Sequence, residues 1–354
     1  MGKDTKQQYF TTQLLYWHTH DNGRSLPWKG ERDPYRIWLS EVILQQTRAE
    51  QGLKYYLTFT EHYPSVCDMA AAQDEEVFRL WQGLGYYNRC KNMLATARYI
   101  CKELGGIFPG RHEDILSLKG VGAYTAAAIA SFAFGLPHAV VDGNVYRVLS
   151  RYFGIEAAID GTEGKRMFAG LAQQLLDEGN SAAYNQAIMD LGATVCTPKS
   201  PDCTQCPLNK KCSAYKEGLT ALLPVKSKKL QVQHRFFNFI MLRYRDEIWI
   251  RKRTEKGIWQ NLHEFFLIES ENGISVPELK DFPVWKKILP QGIQPMLLAT
   301  SRQRLTHQLI DSKLYSVVLQ EKPEHLPAEG FWVKAEQIGN YAFPKTLVDF
   351  LGYI

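Results

Sequence analysis

Two groups of residues in this sequence have types and spacings suited to chemistry. The first is four cysteines, Cys196, Cys203, Cys206 and Cys212, in "CTPKSPDCTQCPLNKKC", with six, two and five residues between them. Four thiolates in one short, proline-punctuated loop make a closed metal site; a structural zinc is the first reading and an iron–sulfur cluster the second. The other group is a pair of carboxylates. Glu41 stands in "WLSEVILQQT", where helical spacing puts it on one face with Ile37, Trp38 and Leu44. Its charged form would lose hydration on folding, so its pKa should rise. Asp142 stands in "HAVVDGNVYRVLSRYFG", after two valines that ask for burial and beside Asn144 at the start of a helix. The plainer alternatives are a Glu41 that snorkels to the rim of the core or pairs with Arg48, and an Asp142 that only caps its helix.

Two further stretches point to a polyanion. In "LKGVGAYTAAAIASF", Gly120 and Gly122 form a tight turn before an alanine-rich helix, a setting that turns backbone N–H groups outward toward phosphate. A plain helix–helix turn would read the same way. From Lys226 to Arg253 there are nine Lys or Arg against two acidic residues, which suits either a phosphate backbone or a solvated linker leading into a charge-protected edge strand.

The chain that must position these groups has 354 residues, 45% of them hydrophobic, with a net charge of +5. That is enough for two or three domains with substantial cores. The N-terminus is polar, and no apolar run approaches the ~18 residues of a membrane span, so a cytoplasmic protein that is not membrane-bound is expected. Seven cysteines are an odd total, and with no secretion signal this argues against disulfides. Cys67, Cys90 and Cys101 accordingly read as ordinary buried thiols.

From about residue 9 to 216 apolar residues recur at three and four, and "PYRIWLSEVILQQTRAEQGLKYYLTFTEHY", "DEEVFRLWQGLG", "KNMLATARYICKELGG", "YTAAAIASFAFG", "NVYRVLSRYFG" and "AAYNQAIMDLGATVC" read as successive helices. "KEGLTALLPVKSKKLQ" has no amphipathic period and reads as a linker. Beyond it "HRFFNFIMLRY", "EIWIRKR", "EFFLIE", "KLYSVVLQ" and "GFWVK" look like strands, with helices in "PVWKKIL" and "PKTLVDFLGYI". The fold expected is multidomain: an all-α domain over 1–216 that includes the cysteine loop, a linker over 217–233, and an α+β domain over 234–354.

Taken together, "LPW", "WLSEVILQQT", "GLGYYNR", "GVGAYTAAAI", "VVDGNVYRV", "NQAIMDLGATVCTP" and the cysteine spacing closely resemble the helix-hairpin-helix DNA glycosylase superfamily, and within it the adenine DNA glycosylases of the MutY type. The resemblance covers nearly the whole chain. It reverses the metal reading, because in this family the spacing holds a 4Fe-4S cluster, here on Cys196, Cys203, Cys206 and Cys212, with a structural and DNA-associated role. It implies a monomeric base-excision-repair enzyme, nucleoid-associated through its DNA. The substrate implied is double-stranded DNA with adenine opposite 8-oxoguanine or guanine. Glu41 becomes the general acid at adenine and the activator of water, and Asp142 stabilises the oxocarbenium ion or bonds covalently to the sugar. Tyr124 and Asn144 look like supporting hydrogen-bonding residues. Trp28, Lys29 and Gln186 line the adenine pocket; Lys29 replaces an arginine and Gln186 a glutamate of some members. Gln46 and Tyr86 match the wedge residues that open the duplex, and Gly120 and Gly122 the DNA-binding hairpin.

Tyr124 occupies the point where the endonuclease III type carries its Schiff-base lysine, which implies a monofunctional glycosylase. The second domain resembles the MutT-like (Nudix) domain that reads 8-oxoguanine. Its glutamate-rich box is missing, so nucleotide hydrolysis is not supported. In "RLTHQL", His307 matches the family's Phe-Ser-His loop whereas Leu305 and Thr306 depart from it; Thr306 and His307 are the expected lesion contacts. The rival readings are a catalytically silent iron–sulfur DNA-damage binder and a bifunctional lyase.

Overall fold

The computed structural model describes residues 5–227 and 231–354. The polar start of the chain, residues 228–230 of the expected linker, and Lys228 and Lys229 of the basic stretch lie outside the described residues. The chain divides into two compact units: residues up to 70 together with those from 92 to the linker, and residues 71–91 with those beyond it. The segment 71–91 was expected within an all-α domain, yet it packs with the strands.

The first unit is helical. Its core gathers Phe10, Leu14 and Trp17 of the Thr5–His20 helix with Val145, Val148, Leu149 and Tyr152 of the Gly143–Phe153 helix and Tyr184, Ile188 and Leu191 of the Ser181–Thr194 helix. The last two helices touch closely. A Cβ on Gly192 would lie 2.6 Å from that of Asn144, so only glycine lets the backbones meet there. The stretch read as one helix from Pro34 to Tyr63 is broken into Pro34–Leu44 and Ala49–His62. The break falls at Gln46, whose φ of 57° is left-handed and cannot continue a right-handed helix.

The reading of Cys67 and Cys101 as free thiols is corrected: they form a disulfide across 34 residues, their Cα atoms 5.2 Å apart, within bridging range. Sequence spacing cannot reveal that two helices bring their thiols together. Cys90 is free and buried, as expected. The described residues 217–227 of the expected linker form no strand and are held in place, and its last residue, Gln233, already belongs to a strand. Leu223 is buried, its carbonyl accepts from Arg151 Nε at 3.0 Å, and Ser227 bonds Asp160.

In the second unit seven strands are described: β1 Gln233–Tyr244, β2 Glu247–Lys252, β3 His263–Glu264, β4 Phe266–Ser270, β5 Met296–Arg304, β6 Gln308–Val318 and β7 Gly330–Lys334. They form one sheet in the order β3-β2-β1-β6-β5, with β4 also on β1 and β7 on β2; β1 and β6 run parallel. β5 was missed, because an edge strand reading "MLLATSRQR" is mostly exposed and polar and carries little alternation. Trp249, Phe266, Trp285, Tyr315 and Val317 form the core under one face. The segment 71–91 is tied to the sheet by polar bonds: the Glu75 carboxylate accepts from Ala342 N at 2.7 Å and meets Lys252 at 3.4 Å, and Gln82 Oε1 accepts from Phe343 N at 3.1 Å.

Four of the nine cations of the basic stretch, Arg235, Arg251, Lys252 and Arg253, are committed to carboxylates within this unit. Arg235 forks onto Glu269, and Arg251 and Arg253 both clamp the fully buried Glu264, an arrangement that leaves the carboxylate no unmet charge. Its charge therefore builds the sheet, and the phosphate-binding alternative is set aside for these residues.

Candidate active site

Two local constructions place the carboxylates. Glu41 comes from the Pro34–Leu44 helix, capped by Asp33, whose side chain accepts from Tyr35 N. Its neighbours Ile37, Trp38 and Leu39 are at most 3% exposed, and Glu41 itself is 8% exposed. Asp142 is the N-cap of the Gly143–Phe153 helix: Oδ1 accepts from Asn144 N and Val145 N at 2.8 Å each, and Oδ2 from Asn144 Nδ2 at 2.7 Å. The approach to this cap is held by buried Asn185, which accepts from Val140 N and donates to Ser131 Oγ and His138 O.

A cleft of about 1040 Å³ brings Glu41 and Asp142 together with Tyr124, Asn144, Trp28 and Gln186, and its walls include Gln46 and both hairpin glycines. Lys29 borders a smaller adjoining cavity that shares Trp28, Glu41 and Gln186. The hairpin is built as expected: the His112–Ser117 helix, a turn with Gly120 at φ 80°, and the Ala123–Phe134 helix. A Cβ on Gly120 would fall 2.7 Å from that of Asn92.

Electrostatics separates the groups in the cleft. Burial pushes Glu41 up to about 7, the hydrogen bond from Tyr124 opposes this, and the charge of Asp142 adds to the rise. Burial, with Glu41 and Asp142 beside it, drives the Tyr124 phenol well above its usual value, so it stays a donor. Asp142, expected to remain an anion, is also raised by burial; the hydrogen bonds from Val145 and Asn144 and the charge of Arg147 pull the other way without cancelling it.

The raised Glu41 has a stability consequence. The folded state holds its proton more tightly than the unfolded chain, so the contribution is complete below the ordinary 4.5 and is lost as pH rises through about 7. Glu41→Gln should therefore be more stable than wild type at pH 8 by roughly 3 kcal/mol at most, the scale of that displacement, and gain nothing at pH 4. Denaturant midpoints at the two pH values check this, and a gap independent of pH would contradict it.

Behind Asp142 lies a residue that sequence reasoning passed over. Arg147, 8% exposed, donates from Nη2 to Asn144 Oδ1 at 2.8 Å and to Gly192 O at 2.6 Å, and from Nε to Cys196 O at 2.6 Å. Asn144 is thereby fixed with its amide nitrogen on Asp142, and the cysteine loop is joined to the carboxylate by two side chains. All four cysteines line one small cavity with Arg151, which donates to Cys196 Sγ at 3.4 Å. Burial raises the thiols of Cys203, Cys206 and Cys212, a cost that a bound cationic centre would offset. Among the described residues no three His, Cys, Asp or Glu stand close enough to share one ion.

Asp190 was also overlooked. It is fully buried and meets Arg24 Nη1 at 2.8 Å, Lys29 Nζ at 3.2 Å, Asn22 Nδ2 at 2.8 Å and Gln186 Nε2 at 3.0 Å. Its same-face neighbours one turn away, Gln186, Ala187, Ala193 and Thr194, are small or polar, so nothing in the sequence signals its burial.

Tyr86, Thr306 and His307 lie in the second unit, not with Gln46. They line a cavity of about 560 Å³ formed by residues 83–89, 257–260, 303–308 and Lys345, and the Tyr86 hydroxyl is hydrogen-bonded to Thr306 Oγ1. Leu305–His307 is the turn between β5 and β6, closed by Leu305 N to Gln308 O at 2.8 Å. Gln46 and Tyr86 share one feature: each is a non-glycine residue at positive φ, 57° and 47°, a strained state that concentrates at functional positions.

A helix–hairpin–helix cleft with a buried acid and a capping aspartate defines a base-excision DNA repair protein. Residues 39–174 match the family model of the "HhH-GPD superfamily base excision DNA repair protein" and residues 238–352 that of the "NUDIX domain". The adenine DNA glycosylase of Buchnera aphidicola subsp. Schizaphis graminum is 37% identical over 257 residues, 72% of this chain and 74% of that protein. The human adenine DNA glycosylase is 45% identical over 214 residues, 58% of this chain and 39% of the human one. The structure of a thermostable thymine-DNA glycosylase is 33% identical with a TM-score of 0.56, covering 60% of this chain and 97% of that one. This chain belongs to the adenine DNA glycosylase family.

Proposed function

We propose that the chain is a monofunctional DNA glycosylase that hydrolyses the N-glycosidic bond of adenine paired with 8-oxoguanine or guanine. The observation that carries the mechanism is the single cleft that Glu41, raised toward neutrality and hydrogen-bonded by Tyr124, shares with Asp142. Adenine leaves only when protonated, while positive charge grows on the sugar, so an acid that keeps its proton and a nearby anion divide the work. Glu41 delivers the proton and then, as carboxylate, activates water. Asp142 stabilises the cation or bonds to the sugar carbon.

Reaching adenine requires its extrusion from the duplex. Gln46 and Tyr86 are the proposed wedges, Gly120 and Gly122 the backbone contact to phosphate, and Trp28, Lys29 and Gln186 the base pocket. Tyr124 stands where a lyase would need an amine, so no Schiff base forms and the strand stays intact. Cys196, Cys203, Cys206 and Cys212 are the proposed ligands of a 4Fe-4S cluster, which supplies structural cross-linking of the loop that Arg147 connects to Asn144. Purified protein should be brown, and Cys206→Ser should lose the visible absorption; a colourless, fully active wild type would remove the cluster. No helix among the described residues is long and apolar enough to cross a membrane. A monomer acting at the nucleoid completes the proposal.

The test is incubation with an adenine:8-oxoguanine duplex, read with and without alkali. Alkali-revealed abasic sites are expected. Nicks before alkali would mean a lyase, and no release would leave a silent binder.

For the second unit, Thr306 and His307 are proposed to read the polar edge of 8-oxoguanine, with the Tyr86 hydroxyl held beside them. Replacing both with alanine should weaken discrimination of 8-oxoguanine over guanine by roughly 1 to 3 kcal/mol, the scale of lost base-edge contacts, with less effect on bound adenine. Rates and binding constants on the two duplexes check it; an unchanged ratio would make the loop a plain hairpin turn.

A further inference from the structure

The buried carboxylate beneath the base pocket does more than pair with cations. Gln186 and Asp190 stand one helical turn apart on the Ser181–Thr194 helix, and Gln186 Nε2 donates to Asp190 Oδ1 at 3.0 Å. Among the described residues the other amide atom, Oε1, has no partner, and the side chain borders both the catalytic cleft and the adjoining cavity that carry Trp28 and Glu41. Asp190 itself is immovable: it is fully buried, with Arg24 and Asn22 at 2.8 Å and Lys29 at 3.2 Å.

We propose that Asp190 is a specificity-positioning residue, which fixes the Gln186 amide so that only its acceptor oxygen faces the base. A free glutamine offers either a donor or an acceptor, and so takes a 6-amino or a 6-oxo purine alike. With Nε2 held by a carboxylate that can only accept, turning the amide over would set oxygen against oxygen in a buried site. The acceptor left over matches the 6-amino group of adenine and opposes the 6-oxo group of hypoxanthine. The pair thus gives a glutamine the recognition chemistry of a glutamate, without a second buried charge. This rests on the adenine-excision reading above.

The experiment compares single-turnover release of adenine and hypoxanthine, each opposite 8-oxoguanine. The two bases differ as leaving groups, but that difference is common to all variants and cancels when their ratios are compared. Asp190→Asn lets the amide turn, and the adenine preference should fall on the order of ten- to a hundredfold, the scale of discrimination by a site built for one hydrogen bond. Exchanging the two residues, Gln186→Glu with Asp190→Asn, reverses the donor, keeps one negative charge facing Arg24 and Lys29, and leaves an acceptor at the base. It should restore the preference. A folded Asp190→Asn with the wild-type ratio overturns the proposal, as does an exchange variant no more selective than Asp190→Asn. Should Asp190→Asn not fold, the exchange variant is compared with Gln186→Leu, which has no acceptor; equal ratios overturn the proposal. Wild-type protein that releases no adenine overturns the excision reading and this inference with it. Wild-type protein that releases adenine while a variant outcome fails overturns the inference alone.

Discussion

Glu41→Gln is expected to bind the adenine:8-oxoguanine duplex and to release almost no adenine. Glutamine keeps the size of the side chain and can still meet the Tyr124 hydroxyl, but it has no proton to give and cannot become the base that activates water. General acid–base catalysis supplies about 10² to 10⁴-fold, and because one group serves both steps the loss should lie at or above that range. The wild-type single-turnover rate should also fall as pH rises through about 7, the value to which burial brings Glu41. A near-normal rate in Glu41→Gln would return this residue to the core as a buried glutamate and nothing more. The same variant should be stabilised above neutrality, so lost activity cannot be put down to unfolding.

Asp142→Asn is expected to fold and to lose catalysis by at least 10² to 10³-fold, the scale for removing one preorganised charge-stabilising group. Asparagine caps helices about as well as aspartate, so the bonds from Asn144 N and Val145 N survive. At the other side-chain atom, however, an amide now faces Asn144 Nδ2, donor against donor. Either Asn144 turns away, breaking its bond to Arg147, or the new amide does. In both cases the negative charge that meets the developing cation is gone. Single-turnover rates set against denaturant midpoints distinguish this from unfolding. A rate within about tenfold of wild type would leave Asp142 only the capping role.

Local chemistry made much of this protein legible in its sequence. Glu41 and Asp142 were found because a charge on an apolar helix face, and an acid at a helix start, conflict with or complete local rules that need no neighbours. The helices around them and strands β1, β2 and β7 followed from periodicity for the same reason. The family resemblance supplied the roles of Tyr124, Asn144 and the cysteines, and the fold gathers all the cleft residues except Lys29, which borders the cavity beside it.

What the sequence did not disclose depends on meetings between distant segments. The Cys67–Cys101 disulfide, the clamp of Arg251 and Arg253 on Glu264 and the placing of residues 71–91 with the sheet have no local signature, since each is decided by packing across the chain. The break at Gln46 was hidden because left-handed backbone at a non-glycine residue is a strain imposed by its surroundings. Arg147 and Asp190 escaped for a related reason. An arginine or aspartate on a helix is ordinary until the fold buries it, and only tertiary structure shows that burial forces each to find partners: the cysteine loop and Asn144 for one, Gln186 for the other.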